Sequence, residues 1–299
     1  MFNFVKLTFF IAIACCNSLY SVQDQVLPIT DFGESMLCVA KYTFAGARLD
    51  LTLDNITDWQ TFAVLYNQHI RDGKHDEECV RIPRIIHHIW LGSPLPDRCR
   101  WFINTWQQHN PDWVFILWDD EAVAQLGLVN QKAYDAATNW GEKSDIARYE
   151  ILYRYGGLYV DTDFECLQPF DALHRRCDFY TGAYANIGTE PCYVFNGLMA
   201  SIPEHPVLER CIEGILHQTS RSSDAYYNDI INRTGPAHLT RCLKEAIAQG
   251  DDIGICVAFP ATYFYPWPGV WRFTRERGFI EQFIRPESLA IHHWASSWL

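Results

Sequence analysis

The strongest chemical signal in the chain is a pair of acids, Asp161 and Asp163, inside residues 143–165 (KSDIARYEILYRYGGLYVDTDFE). Residues 158–164 read as a strand running into a loop. Side chains alternate along a strand, so Leu158 and Val160 point one way while Tyr159, Asp161 and Asp163 point the other. Two carboxylates so spaced set hard oxygen atoms side by side. Mg²⁺ or Mn²⁺ takes one or two such carboxylates and fills its shell with phosphate oxygens and water. A bare Asp-X-Asp arises often by chance, and it gains weight here from the apolar strand before it and the glycine stop before that.

Upstream, the pattern predicts a helix with Ser144 as its N-cap and Gly156-Gly157 as its stop. Asp145, Arg148, Leu152 and Tyr155 fall at i, i+3, i+7 and i+10 and share a face. Asp145 and Arg148 have two readings. One is a surface ion pair worth roughly a few tenths of a kcal/mol. The other is a carboxylate and a guanidinium offered to the hydroxyls of a ligand.

The elements that must position these groups are legible from residue 82 onward. Residues 84–90 (RIIHHIW) read as a buried strand. Residues 97–109 read as a helix with Trp101, Thr105 and Gln108 on one face and Phe102 and Trp106 beside it. Residues 112–118 (DWVFILW) form a second strand, and helical signals follow across 121–140. No fixed-period repeat is present. Strands alternating with helices predict an α/β domain, in which ligands gather at the carboxyl ends of strands. Residues 22–80 differ in texture and end in a charged stretch, RDGKHDEE at 71–78, which reads as a solvated loop or linker. The expected division is residues 1–21, an extension of unassigned role at 22–80, and the main domain at 81–299.

Composition narrows the ligands. With 24 basic against 36 acidic residues and a formal charge of −12, the 299-residue chain has no bulk attraction for nucleic acid or anionic membrane. An anionic ligand must be held locally, by a few placed donors or a metal. Lys6 followed by the apolar run 7–16 and then Asn17 and Ser18 reads as a secretory signal or short N-terminal anchor. A run of that length is about half what a spanning helix needs. Of eleven cysteines, nine lie beyond the signal, none paired as Cys-X-X-Cys. In an exported protein some of them are expected to form disulfides, in a pairing the sequence does not specify.

The segment 143–165 resembles the DXD sugar-binding region of glycosyltransferase family 32, which includes yeast-type mannosyltransferases and bacterial capsular polysaccharide enzymes. It is more distantly similar to the large clostridial glucosylating toxins. Further stretches match in the expected order: IPRIIHHIW at 82–90, NPDWVFILWD at 110–119, NGLMASIPEHP at 196–206, TGP at 234–236 and IHHWASSW at 291–298. The resemblance implies a GT-A-like nucleotide-sugar-binding fold, with a mixed, mostly parallel central sheet flanked by helices. It implies that Asp161 and Asp163 hold the divalent metal, Mn²⁺ or Mg²⁺, with the diphosphate of a nucleoside-diphosphate sugar. Asp145 and Arg148 would contact the donor sugar, Trp90 would stack on the base, and Asn196 would lie beside sugar or acceptor. The terminal HHWxxSW would supply His292 at the metal, and Ser297 and Trp298 near the pyrophosphate, in a segment that closes over bound donor.

The implied reaction is metal-dependent, retaining transfer of a sugar to a glycan, lipid or protein acceptor, with a membrane tether through the N-terminus as one arrangement. Three other readings compete. A glycoside hydrolase would set its two carboxylates at least about 5 Å apart across the scissile bond, usually from separate strands, which adjacent Asp161 and Asp163 do not suit. A non-catalytic carbohydrate-binding protein would use the aromatics without a nucleotide. A toxin-like effector would differ only in acting on a host protein.

Overall fold

The strand segments are nearly continuous apolar runs, as expected for a sheet covered on both faces. In the computed structural model, which describes residues 27–43, 57–73, 79–185, 192–216, 226–274 and 276–295, these are β1 (Ile85–Ile89), β2 (Val114–Trp118), β3 (Gly157–Val160), β5 (Phe179–Ala185), β6 (Cys192–Ser201) and β7 (Cys256–Phe259). They form one sheet in the order β2-β1-β3-β6-β5-β7. β1 runs parallel to β2 and β3, and β5 parallel to β7, while β6 lies antiparallel to both β3 and β5. The sheet is therefore mixed and mostly parallel, as the family resemblance implied. Short strands β4 (Phe164–Cys166) and β8 (Ala290–His292) pair antiparallel as a separate ribbon beyond the end of β3.

The crossovers carry α3 (Asp97–His109) between β1 and β2, and α4 (Asp120–Leu126), α5 (Gln131–Ala136) and α6 (Trp140–Tyr155) between β2 and β3. α7 (Asp171–Arg176) precedes β5. α8 (Pro206–Leu216), α9 (Tyr226–Arg233) and α10 (Pro236–Gln249) lie between β6 and β7, and α11 (Arg277–Glu281) precedes β8. Helices at 32–43 and 57–66, α1 (Phe32–Thr43) and α2 (Thr57–Tyr66), pack against β5 and β7. Phe32, Met36, Trp59, Phe62 and Tyr66 are buried in the same apolar core as the sheet.

Three local expectations are corrected. The helix that carries Asp145 begins a turn earlier than Ser144: Asn139 is its cap, its Oδ1 accepting from the N–H groups of Gly141 and Glu142 at 2.7 and 3.2 Å. In α3 the buried side runs through Cys99, Phe102, Ile103 and Trp106, the i, i+3, i+4, i+7 stripe, while Trp101 is 51% exposed. The expected disulfides are not formed, since all nine cysteines from Cys38 to Cys256 are free thiols, most of them buried. The glycine stop is present: Gly156 caps α6 at φ +62°, and Gly157 at φ +95° starts β3 where a Cβ would come 2.7 Å from the Ile85 carbonyl oxygen. Among the described residues no helix is long and apolar enough to cross a membrane. The signal or anchor expected at 1–21 lies outside them.

Candidate active site

β3 ends at Val160, and Asp161 continues its pairing only through its N–H, which donates to the Gly197 carbonyl at 2.8 Å. The chain then turns, with the Phe164 N–H returning to the Asp161 carbonyl at 3.3 Å. Asp161 and Asp163 thus stand in a turn between β3 and β4, not along one strand face. What brings a third group to them is the β4–β8 register, which sets Phe164 opposite His292. The two rings stack at 4.5 Å and 14°. His292 Nε2 lies 3.1 Å from Asp163 Oδ1, and one ligand atom from each of Asp161, Asp163 and His292 falls within 4.8 Å of the others.

Each acid is held by its own partners. Asp163 Oδ2 accepts from the Ala295 N–H at 2.7 Å, and its carbonyl accepts from the His293 N–H at 2.9 Å. Asp161 Oδ1 accepts from the Tyr159 hydroxyl at 2.6 Å and lies 3.3 Å from Arg148 Nη1. Gly197 leaves room for this arrangement, because a Cβ there would meet Asp161 Oδ2 at 2.7 Å. The charges differ in consequence. Burial raises the Asp161 carboxyl and Asp163 adds to that, with Arg148 opposing. Burial would raise Asp163 too, but His292 and the Ala295 N–H outweigh it and hold it low.

Asp145 and Arg148 lie on the inner face of α6, buried, so the surface ion pair is not what forms. Arg148 Nη2 lies 3.2 Å from Asp145 Oδ1, Nη1 donates to the Asn196 carbonyl at 2.8 Å, and the guanidinium sits 4.4 Å over the Tyr159 ring. Its Nε and Nη2 also donate to Ser144, the residue first read as a cap. Asp145 accepts from Asn196 Nδ2 at 2.8 Å and from the Thr234 hydroxyl at 3.0 Å. Burial pushes its carboxyl up to about 6, against the pull of Arg148.

These groups share one cleft of about 310 Å³ at the carboxyl ends of β1 and β3, lined by Trp90, Asp145, Arg148, Asp161, Asp163, Asn196 and His292. Trp90 is half-buried at the rim, with Nε1 donating to Ser93 Oγ at 3.2 Å. Sequence reasoning missed several other walls. Trp140 closes the rim against Gly92, where a Cβ would be 2.5 Å from the indole. Trp294, at φ +50°, turns its ring onto His292 at 4.3 Å and packs on Tyr184 and Phe195. The positive φ has no sequence signature, whereas Trp140 stands next to Asn139 and would follow from the correct cap. His293 turns away and meets Glu165 at 3.0 Å, itself bridged by Arg277. Ser297 and Trp298 lie outside the described residues.

The donor set fits a divalent cation: two carboxylates and an imidazole converge at the cleft, and among the described residues the buried His292 Nδ1 has no hydrogen-bond partner. Residues 96–180, which include Asp145, Arg148, Asp161 and Asp163, match the glycosyltransferase sugar-binding region containing a DXD motif. The chain is 32% identical over 173 residues to inositol phosphoceramide mannosyltransferase 1 of Schizosaccharomyces pombe, covering 54% of this chain and 51% of that one. It is 31% identical over 117 residues to human alpha-1,4-N-acetylglucosaminyltransferase, covering 38% and 29%. The chain spans about half the length of the yeast-type relatives it matches. Among solved structures it is similar to the PaToxG glycosyltransferase, at TM-score 0.48 and 16% identity over 66% of this chain and 79% of that one.

Proposed function

We propose, from the glycosyltransferase sugar-binding region that residues 96–180 of this chain carry, that the protein is a metal-dependent, retaining glycosyltransferase of GT-A type. It would move a hexose from a nucleoside-diphosphate sugar to a glycan, lipid or protein acceptor. The observation that supports this most is the convergence of Asp161, Asp163 and His292 within 4.8 Å at the cleft. Three carboxylates and one guanidinium line that cleft among the described residues, so by itself it repels a diphosphate. A divalent cation held by Asp161, Asp163 and His292 reverses that balance and supplies the Lewis acid for the leaving phosphate, an effect worth several kcal/mol in such reactions.

The chain's own residues do the rest. Tyr159 and Arg148 fix the Asp161 carboxylate, and the Ala295 N–H fixes Asp163, so both acids are oriented before any ligand arrives. Asp145 and Asn196, joined at 2.8 Å, face the sugar end of the cleft, and Trp90 offers its ring to the base. Among the described residues lining the cleft, Asp145 is the remaining carboxylate, and both its oxygens are already engaged by Asn196, Arg148 and Thr234. That favours front-face displacement assisted by the leaving phosphate over a covalent intermediate on Asp145.

Matched relatives named as mannosyltransferases of inositol phosphoceramide make a mannosyl donor and a phosphoinositol-bearing lipid the first pair to test. A lipid acceptor also suits an apolar N-terminal signal or anchor at residues 1–21, which would place the enzyme in the secretory lumen where such donors occur. A screen of nucleotide sugars for hydrolysis with Mn²⁺, repeated with chelator, tests the reading. Hydrolysis of one donor that the chelator stops is expected. Binding of free sugar with no nucleotide binding at all would point to a carbohydrate-binding protein instead.

A further inference from the structure

α8 and α10 bring together a second group of reactive side chains, linked to the cleft through Tyr149. The Tyr149 hydroxyl accepts from Asn196 Nδ2 at 3.2 Å, and its ring meets that of His238 edge-on at 6.0 Å. His238 and Cys242 lie one turn apart on α10, and Cys211 faces them from α8. One ligand-capable atom from each falls within 4.8 Å of the others. Exposure is 0% at Cys211 and His238 and 3% at Cys242.

Two buried thiols beside an imidazole have two obvious uses, a soft-metal site or a dithiol couple, and the histidine decides between them. His238 Nε2 donates to the Cys211 carbonyl at 2.9 Å, and Nδ1 accepts from Arg241 Nη2 at 2.8 Å. Both nitrogens are therefore committed, and a guanidinium stands where a cation's surroundings should be. Cys242 Sγ is 3.8 Å from Nε2 and 4.0 Å from Nδ1, nearly equidistant, so it is aligned with neither lone pair. A tetrahedral metal needs one free nitrogen lone pair aimed between the sulfurs, and this geometry offers none.

We infer that Cys211 and Cys242 are a dithiol that a hydroperoxide converts to a disulfide, cross-linking α8 to α10. The pair is asymmetric in the right sense. The Cys211 hydrogen bond pulls the Cys242 thiol down against its burial, with help from His238 and Arg241, whereas burial pushes Cys211 up. Cys242, the one with residual exposure, is the attacking thiolate. Its sulfur takes the terminal oxygen of the hydroperoxide as the O–O bond breaks, and the departing oxygen leaves as water or alcohol after taking a proton. Cys211 sulfur then attacks the resulting sulfenic sulfur. The S–S bond forms, the S–O bond breaks, and the hydroxyl leaves as water with the Cys211 proton. The peroxide is reduced by two electrons and the two thiols are oxidised by two. A small oxidant is required because 3% exposure admits no protein disulfide. α10 starts at Pro236, two residues after the Thr234 that holds Asp145, so the cross-link ties that wall of the cleft to α8.

The test uses the reduced, folded full chain, treated with a small excess of hydrogen peroxide, then denatured, alkylated and digested without reductant. The expected product is a linked peptide pair through Cys211 and Cys242, about 2 Da lighter than the two free peptides, with Cys166 still alkylated. In Cys211→Ser, Cys242 should accumulate as a sulfenic acid that dimedone traps. Full alkylation of Cys211 and Cys242 after exposed Cys79 has been oxidised would overturn the inference. So would one equivalent of zinc in the untreated protein that is lost in Cys242→Ser, since the cluster would then be a metal site.

Discussion

Asp145 shows how much a single buried carboxyl carries. Its folded-state value of about 6 lies above the 3.8 of an unfolded aspartate, because burial outweighs the help it receives from Arg148 and Thr234. The stability it contributes is complete below pH 3.8 and is lost as pH rises through 6. By about 1.4 kcal/mol per pKa unit that is about 3 kcal/mol. Asp145→Asn does not titrate, so its stability relative to the parent should climb by about that amount between pH 4 and pH 7, while transfer falls at every pH. Parallel denaturation midpoints for the two proteins across that range would contradict the assignment. Trp90 belongs to the same scale. Stacking of an aromatic on a nucleotide base is worth about 1–3 kcal/mol elsewhere, so Trp90→Ala should weaken nucleoside diphosphate by roughly tenfold and leave free-sugar binding little changed. Unchanged nucleotide affinity by calorimetry, in a protein of normal melting temperature, would return Trp90 to the apolar cluster of Leu95, Cys99 and Ile103 that it packs on.

At the scale of elements, β1 carries a liability that its sequence, IIHHI, already contains. His87 Nε2 bonds the Gly156 carbonyl at 2.9 Å and His88 Nδ1 the Val160 carbonyl at 2.8 Å, both fully buried. Burial lowers each from 6.5 to about 4. Their stability contribution is complete above pH 6.5 and is lost as pH falls through 4, by about 3 kcal/mol each. The pair outweighs the opposite trend at Asp145, so urea midpoints should fall steadily from pH 7 to pH 5. A midpoint flat over that interval would mean these histidines are not neutral and buried. The elements also explain what was legible beforehand. Asp161 and Asp163 are two residues apart and announce themselves locally, whereas His292 reaches Asp163 only through the β4–β8 register, 129 positions away. Along β8, Ile291 is buried in the core while His292 turns toward Asp163. The start of α6 was misread because Ser144 and Asn139 are both good caps. Only the earlier one has Glu142 at the third helical position, and Ser144 was then free to hold Arg148.

At the scale of the whole molecule, β1, β2 and β3 were readable because buried strands and amphipathic crossovers leave strong periodic patterns, whereas β5, β6 and β7 were not read as strands. The reversed strand β6 could not be anticipated from residues 192–201, since parallel and antiparallel neighbours bury the same side chains. The helices at 32–43 and 57–66 were equally opaque: they are tied to the turn that follows β7 by contacts such as Ser35 Oγ to Thr262 Oγ1 at 2.6 Å and Tyr66 to Tyr263 hydroxyls at 2.9 Å, each about two hundred residues apart in sequence. Those contacts predict that removing residues 1–71 lowers solubility and melting temperature, because it would expose Phe259 and Tyr263, both now buried. A truncated protein as stable as the parent would show that the extension adds nothing to the core.

In the proposed site, Asp161, Asp163 and His292 hold a divalent cation for a nucleoside diphosphate. Calorimetric titration of Mn²⁺ into the protein saturated with nucleoside diphosphate, for the parent and for Asp163→Asn, tests it most directly. One Mn²⁺ per parent chain and at least about a tenfold loss of affinity in the variant are expected, with the circular dichroism of a folded protein in both. Equal Mn²⁺ affinity in the two folded proteins would contradict it.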